Sequence, residues 1–570
     1  MSDASAYGEK IWTESYAQGV PRHVDYQDIL IPQYLELSAK TFPDNPALIC
    51  HGYAMTFAQL NDTVCRFAAA LKKFGIKKGD RVAILLPNVI PCVVAYYATL
   101  KIGGIVVFHN PLYADRELER QFRDSGAKCL ITLDLLADRM VKLRKKTDIT
   151  TIVYTSIGDY LPLVKRLFFP LAAARKGLVK EVTPAPDLYK FKDVIAQYVP
   201  DTSRADATMD DVAMYQYTGG TTGASKGVML THRNLSYQVQ QLEAWFPEFV
   251  KGREIMLGAL PFFHVFGMST SMNYAIKMGW RNVLVPKPQS EPLLEAISKF
   301  KVSFAPMVPT MFIGILEHPD MKKLDLSSIK ACFSGSAPLP LDIINNFQKK
   351  TDSIIVEGFG MTECTPVTHV NPFQGKRVVG SIGLPIPDTV CKIVDLEDRD
   401  RQMPIGEPGE LLIKGPQVMK GYLNQPDATA RTITQDGFLC SGDIAQMDEN
   451  GYFYIVDRIK DMIISSGYSV YPRDIDEVLF EHPKILEACA IGIPHPKRGE
   501  AVKAFVILKQ GETMTEKEVI DYCGTKLAKY KLPVVVEFRK DLPKSDVGKI
   551  LKKKLRTKEY NKQSPFSVNI

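Results

Sequence analysis

The sequence predicts an α/β protein built from several units, and three features of the chain carry that expectation. Helical and strand patterns alternate through its first part, a stretch of short strands split by Gly and Pro follows, and a fresh α/β pattern fills the C-terminal end. At 570 residues the chain is too long for one core and should divide into about three or four structural units, some fused into one large domain. Its composition is that of an ordinary soluble globular enzyme. The net charge of +7, spread over a large surface, suggests anionic ligands or mild attraction to acidic lipid. No RNA- or DNA-binding motif occurs, so nucleic acid is not an expected partner. Ten cysteines lie far apart with no C-x-x-C pair, which fits a reducing cytoplasm. The N-terminus, with Glu9 and Lys10 close behind Met1-Ser2-Asp3-Ala4-Ser5, never builds the apolar core of a signal peptide.

The alternation runs from about residue 34 to 133. Residues 57–74 have helical periodicity, and Gly79-Asp80 turns into a buried strand at 82–86. The uncharged run 82–100 is interrupted by Pro87, Asn88 and Pro91, so it reads as strand, turn and helix rather than a membrane span. A second apolar strand at 105–108 completes β-α-β, and a helix over 116–125 leads to a strand at 129–133. Residues 161–176 then set bulky apolar side chains beside Lys165, Arg166, Arg175 and Lys176. That recipe suits an anionic membrane surface, and equally a short helix packed on the domain with its cations solvated.

The strongest local signal is Tyr217-Thr218-Gly219-Gly220-Thr221-Thr222-Gly223-Ala224-Ser225-Lys226-Gly227. Its glycines free the backbone to aim several N–H groups at one point, while threonine hydroxyls and Lys226 add donors and a cation. Walker A spacing is excluded, because the fifth residue after Gly219 is Ala224 and after Gly220 is Ser225. Strand patterns at 212–217 and 227–230 flank the loop, so a phosphate-holding hairpin tip is expected rather than a surface linker.

Downstream, Leu260-Pro261-Phe262-Phe263-His264-Val265-Phe266-Gly267-Met268 ends a strand in an aromatic-rich segment suited to an apolar pocket, although a lone His among aromatics is more often a core residue. Ala331 to Pro338 and Val356 to Glu363 each follow an apolar strand with small residues, allowing close backbone approach by a flat ligand. From Gly380 to Asp457 short strands imply a small β subdomain containing Ser441-Gly442-Asp443. Asp457-Arg458-Ile459-Lys460-Asp461 reads as a junction before a separate C-terminal domain of about a hundred residues. Its lysine-rich tail reads mostly as a solvated face.

Together these stretches resemble the adenylate-forming superfamily, and within it the fatty acyl-CoA synthetases. The resemblance covers residues 34–556 and rests on the glycine loop, Gly358-Phe359-Gly360-Met361-Thr362-Glu363, Ser441-Gly442-Asp443, Asp457-Arg458-Ile459-Lys460-Asp461 and Leu542-Pro543-Lys544-Ser545-Asp546-Val547-Gly548-Lys549, in family order. It implies a large N-terminal domain, residues 1–459, of two wound α/β sheets plus a small β-barrel-like subdomain, and a small mobile α+β C-terminal domain, residues 460–570. It also implies that an apolar carboxylic acid, a medium- or long-chain fatty acid, is activated by ATP with Mg²⁺, forming an acyl adenylate and pyrophosphate, after which coenzyme A takes the acyl group and AMP leaves.

On this resemblance Lys549, Thr362 and Glu363 are the catalytic candidates. Lys549 would reach the carboxylate and the α-phosphate, Thr362 would donate to the α-phosphate, and Glu363 with Thr218 would hold Mg²⁺. Thr218, Gly219, Gly220, Thr221, Thr222, Gly223 and Lys226 would grip the β- and γ-phosphates. Phe359, in Gly358 to Met361, would stack on adenine opposite Gly335, Ser336, Ala337 and Pro338, and Asp443 would accept from the ribose with Arg458 nearby. Lys460 would be the hinge, Ser466-Gly467-Tyr468 the coenzyme A channel, and His264 to Met268 the acyl pocket. The chain departs from the family pattern at Gly219, Ser225, Phe359, Ser441 and Met268, which leaves chain-length selection open. An aryl or alicyclic acid, transfer to a carrier protein, a luciferase-like oxidation and a non-catalytic acyl-binding protein are the alternatives. Peripheral contact with the inner face of a membrane and a homodimer stay open.

Overall fold

The computed structural model describes residues 7, 10–162, 164–166, 169, 181–218, 225–465, 468–496, 498–545 and 548–563. The alternating pattern builds two large sheets. One has eight strands in the spatial order Gly421–Tyr422, Gly227–Thr231, Val212–Tyr217, Ile105–Phe108, Arg81–Leu85, Ala127–Leu133, Thr151–Thr155 and Leu188–Lys190. From Val212–Tyr217 onward neighbours are parallel, and the first two strands are antiparallel additions at one edge. The other sheet has nine strands, in the order Leu384–Pro385, Val367–Val370, Ile354–Gly360, Ala331–Ser334, Phe304–Met307, Ile255–Gly258, Arg281–Leu284, Pro46–Cys50 and Tyr53–Thr56. Its centre is parallel and its edges antiparallel. Parallel strands covered on both faces read as unbroken apolar runs, which is why 105–108 shows no alternation.

The helix Ile90–Lys101 is buried on every side, as a helix apolar all round must be. Tyr96 stacks on Phe108 of the eight-stranded sheet (centroids 5.7 Å apart). Its hydroxyl and that of Tyr97 meet the Asn273 amide, each at 2.9 Å, so the helix joins the two layers. The expected helix at 57–74 is Phe57–Lys73, begun by a capping box in which Thr56 and Gln59 exchange side-chain and backbone bonds.

Between Gly380 and Asp457 the small β subdomain is a four-stranded antiparallel sheet, Val390–Val394, Gly409–Lys414, Leu439–Met447 and Phe453–Arg458. Ile393, Leu411, Ile413 and Met447 belong to the same continuous apolar cluster as both large sheets. This subdomain is thus fused to the large domain, not merely attached.

The C-terminal region has its own sheet, in which Ile463–Ser465, Tyr468–Val470, Ile485–His495, Gly499–Leu508 and Val535–Phe538 pair. One face packs Ile475 and Leu479 of the Pro472–Phe480 helix and Val519 of the Glu516–Gly524 helix in a separate cluster. The other face is covered by Leu542 and by Leu555 of the terminal helix Lys552–Gln563. All ten cysteines are free and buried. Among the described residues no helix is long and apolar enough to cross a membrane. Most of the apolar-basic stretch expected at 161–176 lies outside the described residues.

Candidate active site

The site forms where the parallel strands Ala331–Ser334 and Ile354–Gly360 end side by side, Ser334 in register with Glu357. Ligands of wound sheets lie beyond such carboxyl ends. Gly335, Ser336, Ala337 and Pro338 follow the first strand, and Gly358, Phe359 and Gly360 finish the second, with Met361 just beyond it. Close packing explains the small residues. A Cβ at Gly335 would stand 3.1 Å from the Phe266 ring, and one at Gly360 would sit 1.9 Å from the Pro366 carbonyl oxygen. Ser336 adopts φ +72°, left-handed backbone that a side chain seldom tolerates. The half-buried Phe359 ring lies edge-on to His369 at 6.0 Å, and burial lowers His369 to about 3, leaving it a neutral packing partner. Thr362 and Glu363 open the short turn Thr362–Cys364 directly beyond.

The strands flanking the glycine loop pair antiparallel, as expected, with Tyr217 opposite Gly227 and the Thr218 N–H donating to the Lys226 carbonyl at 3.0 Å. Gly219, Gly220, Thr221, Thr222 and Gly223 lie outside the described residues. The loop's base is fixed by a residue that sequence reasoning missed. The edge strand Gly421–Tyr422 pairs with Gly227–Thr231 and sets the Tyr422 ring 4.4 Å from the Lys226 ammonium. The Tyr422 hydroxyl donates to Glu363 Oε1 at 2.8 Å, and the Met419 N–H holds the Glu363 carbonyl at 2.8 Å. Burial and the Glu363 carboxylate raise the Tyr422 phenol well above its ordinary value, so it remains a donor. A second unforeseen tie is Gln121, whose Nε2 donates to Ser225 Oγ at 3.3 Å while its Oε1 meets His109 Nδ1 at 2.7 Å.

Among the described residues no cluster of three or more His, Cys, Asp or Glu side chains could hold a metal. A hard ion bound to Glu363 and the Thr218 hydroxyl would need phosphate oxygens and water to complete its shell. That donor set fits Mg²⁺, which commonly keeps one or two carboxylates plus substrate phosphates.

Asp443 and Arg458 face each other across adjacent strands, with Nε to Oδ1 at 3.2 Å. Gly442, at φ +70°, makes the bend before Asp443, and Glu410 accepts its N–H at 3.3 Å. Lys549 comes to this pair from the small domain on a turn in which Ser545 N–H donates to the Lys549 carbonyl at 2.8 Å. Gly548, at φ +76°, passes so close to the large domain that a Cβ would lie 3.0 Å from Thr310 Oγ1. Lys549 is half-buried, in a crevice rather than a sealed core. Burial first, then Arg458, against Asp443, and then Lys460, against Asp461, leave its ammonium lowered to about 7. His264 is lowered to about 4 by burial and by the Lys549 charge. The structure thus brings together positions 264, 443, 458, 460 and 549.

Asn88 organises the approach to His264: its amide donates to the carbonyls of Gly258 (2.9 Å) and Leu260 (2.8 Å), and its oxygen accepts the Phe262 N–H (2.8 Å). His264 Nδ1 accepts from the Phe266 N–H at 3.3 Å, which assigns the ring proton to Nε2. Val265, Phe266, Gly267 and Met268 are buried. A wide π-type turn, Gly267–Asn273, swings Met268 inward, where its Sδ accepts from Asn273 Nδ2 at 3.0 Å. Such a turn has no sequence signature, but often marks a functional site. Ser466 and Gly467 lie outside the described residues, while Tyr468 is exposed and stacked on Tyr530 at 4.8 Å. Glu357, also unforeseen, is raised by burial to about 7 although the Leu339 N–H donates to it at 3.2 Å, and it lines a cleft of about 200 Å³ with Gln348 and Arg377.

The model of the AMP-binding enzyme family matches residues 35–423, and that of the AMP-binding enzyme C-terminal domain matches residues 474–549. The chain is 42% identical to a long-chain-fatty-acid–CoA ligase of Bacillus subtilis, across 97% of this chain and 98% of that protein. ATP-bound MatB from Rhodopseudomonas palustris, 28% identical, superposes with a TM-score of 0.83, covering 94% of this chain and 100% of that one. The apo structure of MatB gives 0.72, covering 93% and 100%. The chain belongs to the AMP-binding enzyme family.

Proposed function

We propose that the protein is an ATP-dependent acyl-CoA synthetase for long-chain fatty acids, working through an acyl adenylate. The observation that carries this reading is the arrival of Lys549 from the small domain beside Asp443, Arg458 and His264. The Bacillus relative's name favours a fatty acid over an aryl or alicyclic one, and coenzyme A over a carrier protein.

In this reading the glycine loop and Lys226 hold the β- and γ-phosphates that depart as pyrophosphate. Adenine lies between Phe359 and the Gly335 to Pro338 backbone, and Asp443, kept in place by Arg458, accepts from the ribose hydroxyls. Two anions must meet for the carboxylate to attack the α-phosphorus, so positive charge is needed between them. Lys549 supplies it, with Thr362 donating to the α-phosphate. A Mg²⁺ ion held by Glu363 and Thr218 would add charge on the phosphates. Lys549 must then vacate the space that the thiol enters, and rotation of the small domain about Lys460 performs that exchange. Ser466, Gly467 and Tyr468 would then face the pantetheine, and His264 to Met268 line the acyl chain.

The setting is the cytoplasm, where free cysteines stay reduced. Contact of residues 161–177 with an anionic membrane face and a homodimer belong to the same reading, tested by vesicle co-sedimentation and by sedimentation equilibrium. The principal experiment measures pyrophosphate release over a panel of acids, with and without coenzyme A. Preference for long-chain acids with coenzyme A-dependent turnover supports the proposal. Sustained turnover without coenzyme A, or preference for aryl acids, refutes it.

A further inference from the structure

Two arginines of the small domain reach the residues around Lys460, and they do different work. Arg556, on the Lys552–Gln563 helix, donates from Nη1 to the Lys460 carbonyl at 2.9 Å and from Nη2 to Asp461 Oδ1 at 3.1 Å. A peptide carbonyl moves rigidly with the residue that follows it, so rotation about the φ and ψ bonds of Lys460 carries both acceptors along with the small domain. The Arg556 bonds survive that motion.

Arg473 bridges across the same point. It lies in the Pro472–Phe480 helix, and its Nη1 donates to the Ile455 carbonyl at 2.5 Å. Its backbone N–H donates to Asp457 Oδ2 at 2.9 Å. Ile455 and Asp457 belong to the strand Phe453–Arg458, which precedes Lys460 and is built into the four-stranded sheet of the large domain. Asp457 therefore caps a helix of the other domain, a carboxylate where free N–H groups and the helix dipole favour one. Asp457 Oδ1 also accepts from the N–H of Arg458, whose side chain pairs with Asp443. The guanidinium is steadied by Glu477 of its own helix, Nε to Oε1 at 2.7 Å, and its side chain is only 19% exposed, so solvent screens these bonds little. A substantial rotation about Lys460 must break them.

We propose that Arg473 is the latch of the Lys549-inward orientation, a positioning residue for adenylation with no part in thioester transfer. The proposal rests on the two-orientation reading above. Replacing Arg473 by Ala removes the guanidinium bond but keeps the backbone bond to Asp457. Two half-reactions of Arg473→Ala are compared with wild type: pyrophosphate release in a single turnover of long-chain acid and ATP without coenzyme A, and acyl-CoA formation from supplied acyl adenylate. Adenylation should fall roughly tenfold, the usual effect of losing a hydrogen bond from a charged group. Transfer should be unchanged or faster. Arg473→Lys, which keeps one donor, should recover part of the loss. An equal fall in both half-reactions, or no change in adenylation, overturns the proposal. If Arg473→Ala fails to fold, Arg473→Lys carries the test on the same criterion. Lys460→Pro, which fixes φ at the hinge, separates the two ideas. Loss of a single half-reaction there alongside an equal loss in Arg473→Ala removes the latch alone, whereas equal loss in Lys460→Pro removes the two-orientation reading itself.

Discussion

Lys226 and Lys549 are the two cations proposed for the nucleotide site, and they arrive by opposite routes. Lys226 is fixed within one sheet, its carbonyl bonded by Thr218 and its ammonium set against the Tyr422 ring by the register of the edge strand. Lys549 comes from a domain with its own core, on a turn pressed against Thr310. Burial among Arg458 and Lys460, only partly offset by Asp443 and Asp461, holds it at about 7. The first cation is a fixture, while the second is placed against an electrostatic cost that a polyanion removes.

The sign of that cost follows from linkage. A lysine brought from its ordinary 10.5 to about 7 by docking binds fewer protons docked than undocked between those values. Docking without nucleotide therefore becomes more favourable as pH rises from 7 toward 10.5, and below 7 it carries the full cost of burying a charged ammonium. If Lys549 meets the nucleotide as proposed, binding and domain docking are coupled through this one side chain.

The contrast can be broken most forcefully at the two lysines. Lys549→Ala should slow adenylation on the order of 10²- to 10³-fold, the range for removing one preorganised donor, with transfer from supplied acyl adenylate within about threefold of wild type. Lys226→Ala should instead raise KM for ATP roughly tenfold with a smaller effect on kcat. Indistinguishable kinetics of the two variants would erase the distinction. Next in size, Gly360→Ala places a Cβ 1.9 Å from a backbone oxygen and should cost about 3 kcal/mol of large-domain stability in urea unfolding. Gly380→Ala, strained by its φ of +82° but open around the new methyl, should cost only about 1 kcal/mol, so equal losses would show that the site wall is not rigid. Smallest, Tyr422→Phe removes the donor to Glu363 and should raise KM for ATP several-fold, about 1 kcal/mol, leaving transfer untouched. An effect on transfer would mean that Tyr422 serves both states.

Local features of this site were legible in the sequence because their causes are local. The Tyr217 to Gly227 hairpin could be read from two strand patterns around a glycine cluster, and the small residues at 335–337, 358 and 360 from strands ending in close packing. The β subdomain was visible in its Gly and Pro punctuation and its place in the large domain in the family resemblance, while the residues that fuse it, Ile393 and Leu411 meeting distant partners, were not. Tyr422 was invisible, since its role comes from pairing with a strand nearly two hundred residues earlier. Asp457 was read as part of the junction, but its bond to Arg473 was hidden, because one caps the other's helix only once two domains dock. Met268 was read as apolar lining, yet the π-type turn that aims its sulfur at Asn273 leaves no trace in periodicity.

Calorimetric titration of wild-type protein with MgATP at pH 8, in buffers of differing ionisation enthalpy, tests the coupling most directly. With Lys549 lowered to about 7, most molecules docked without nucleotide hold it neutral at that pH, and the phosphates should restore its charge. The account predicts net proton uptake on nucleotide binding, in proportion to the fraction of molecules docked beforehand, abolished in Lys549→Met. No uptake, or uptake that persists in Lys549→Met, would contradict it.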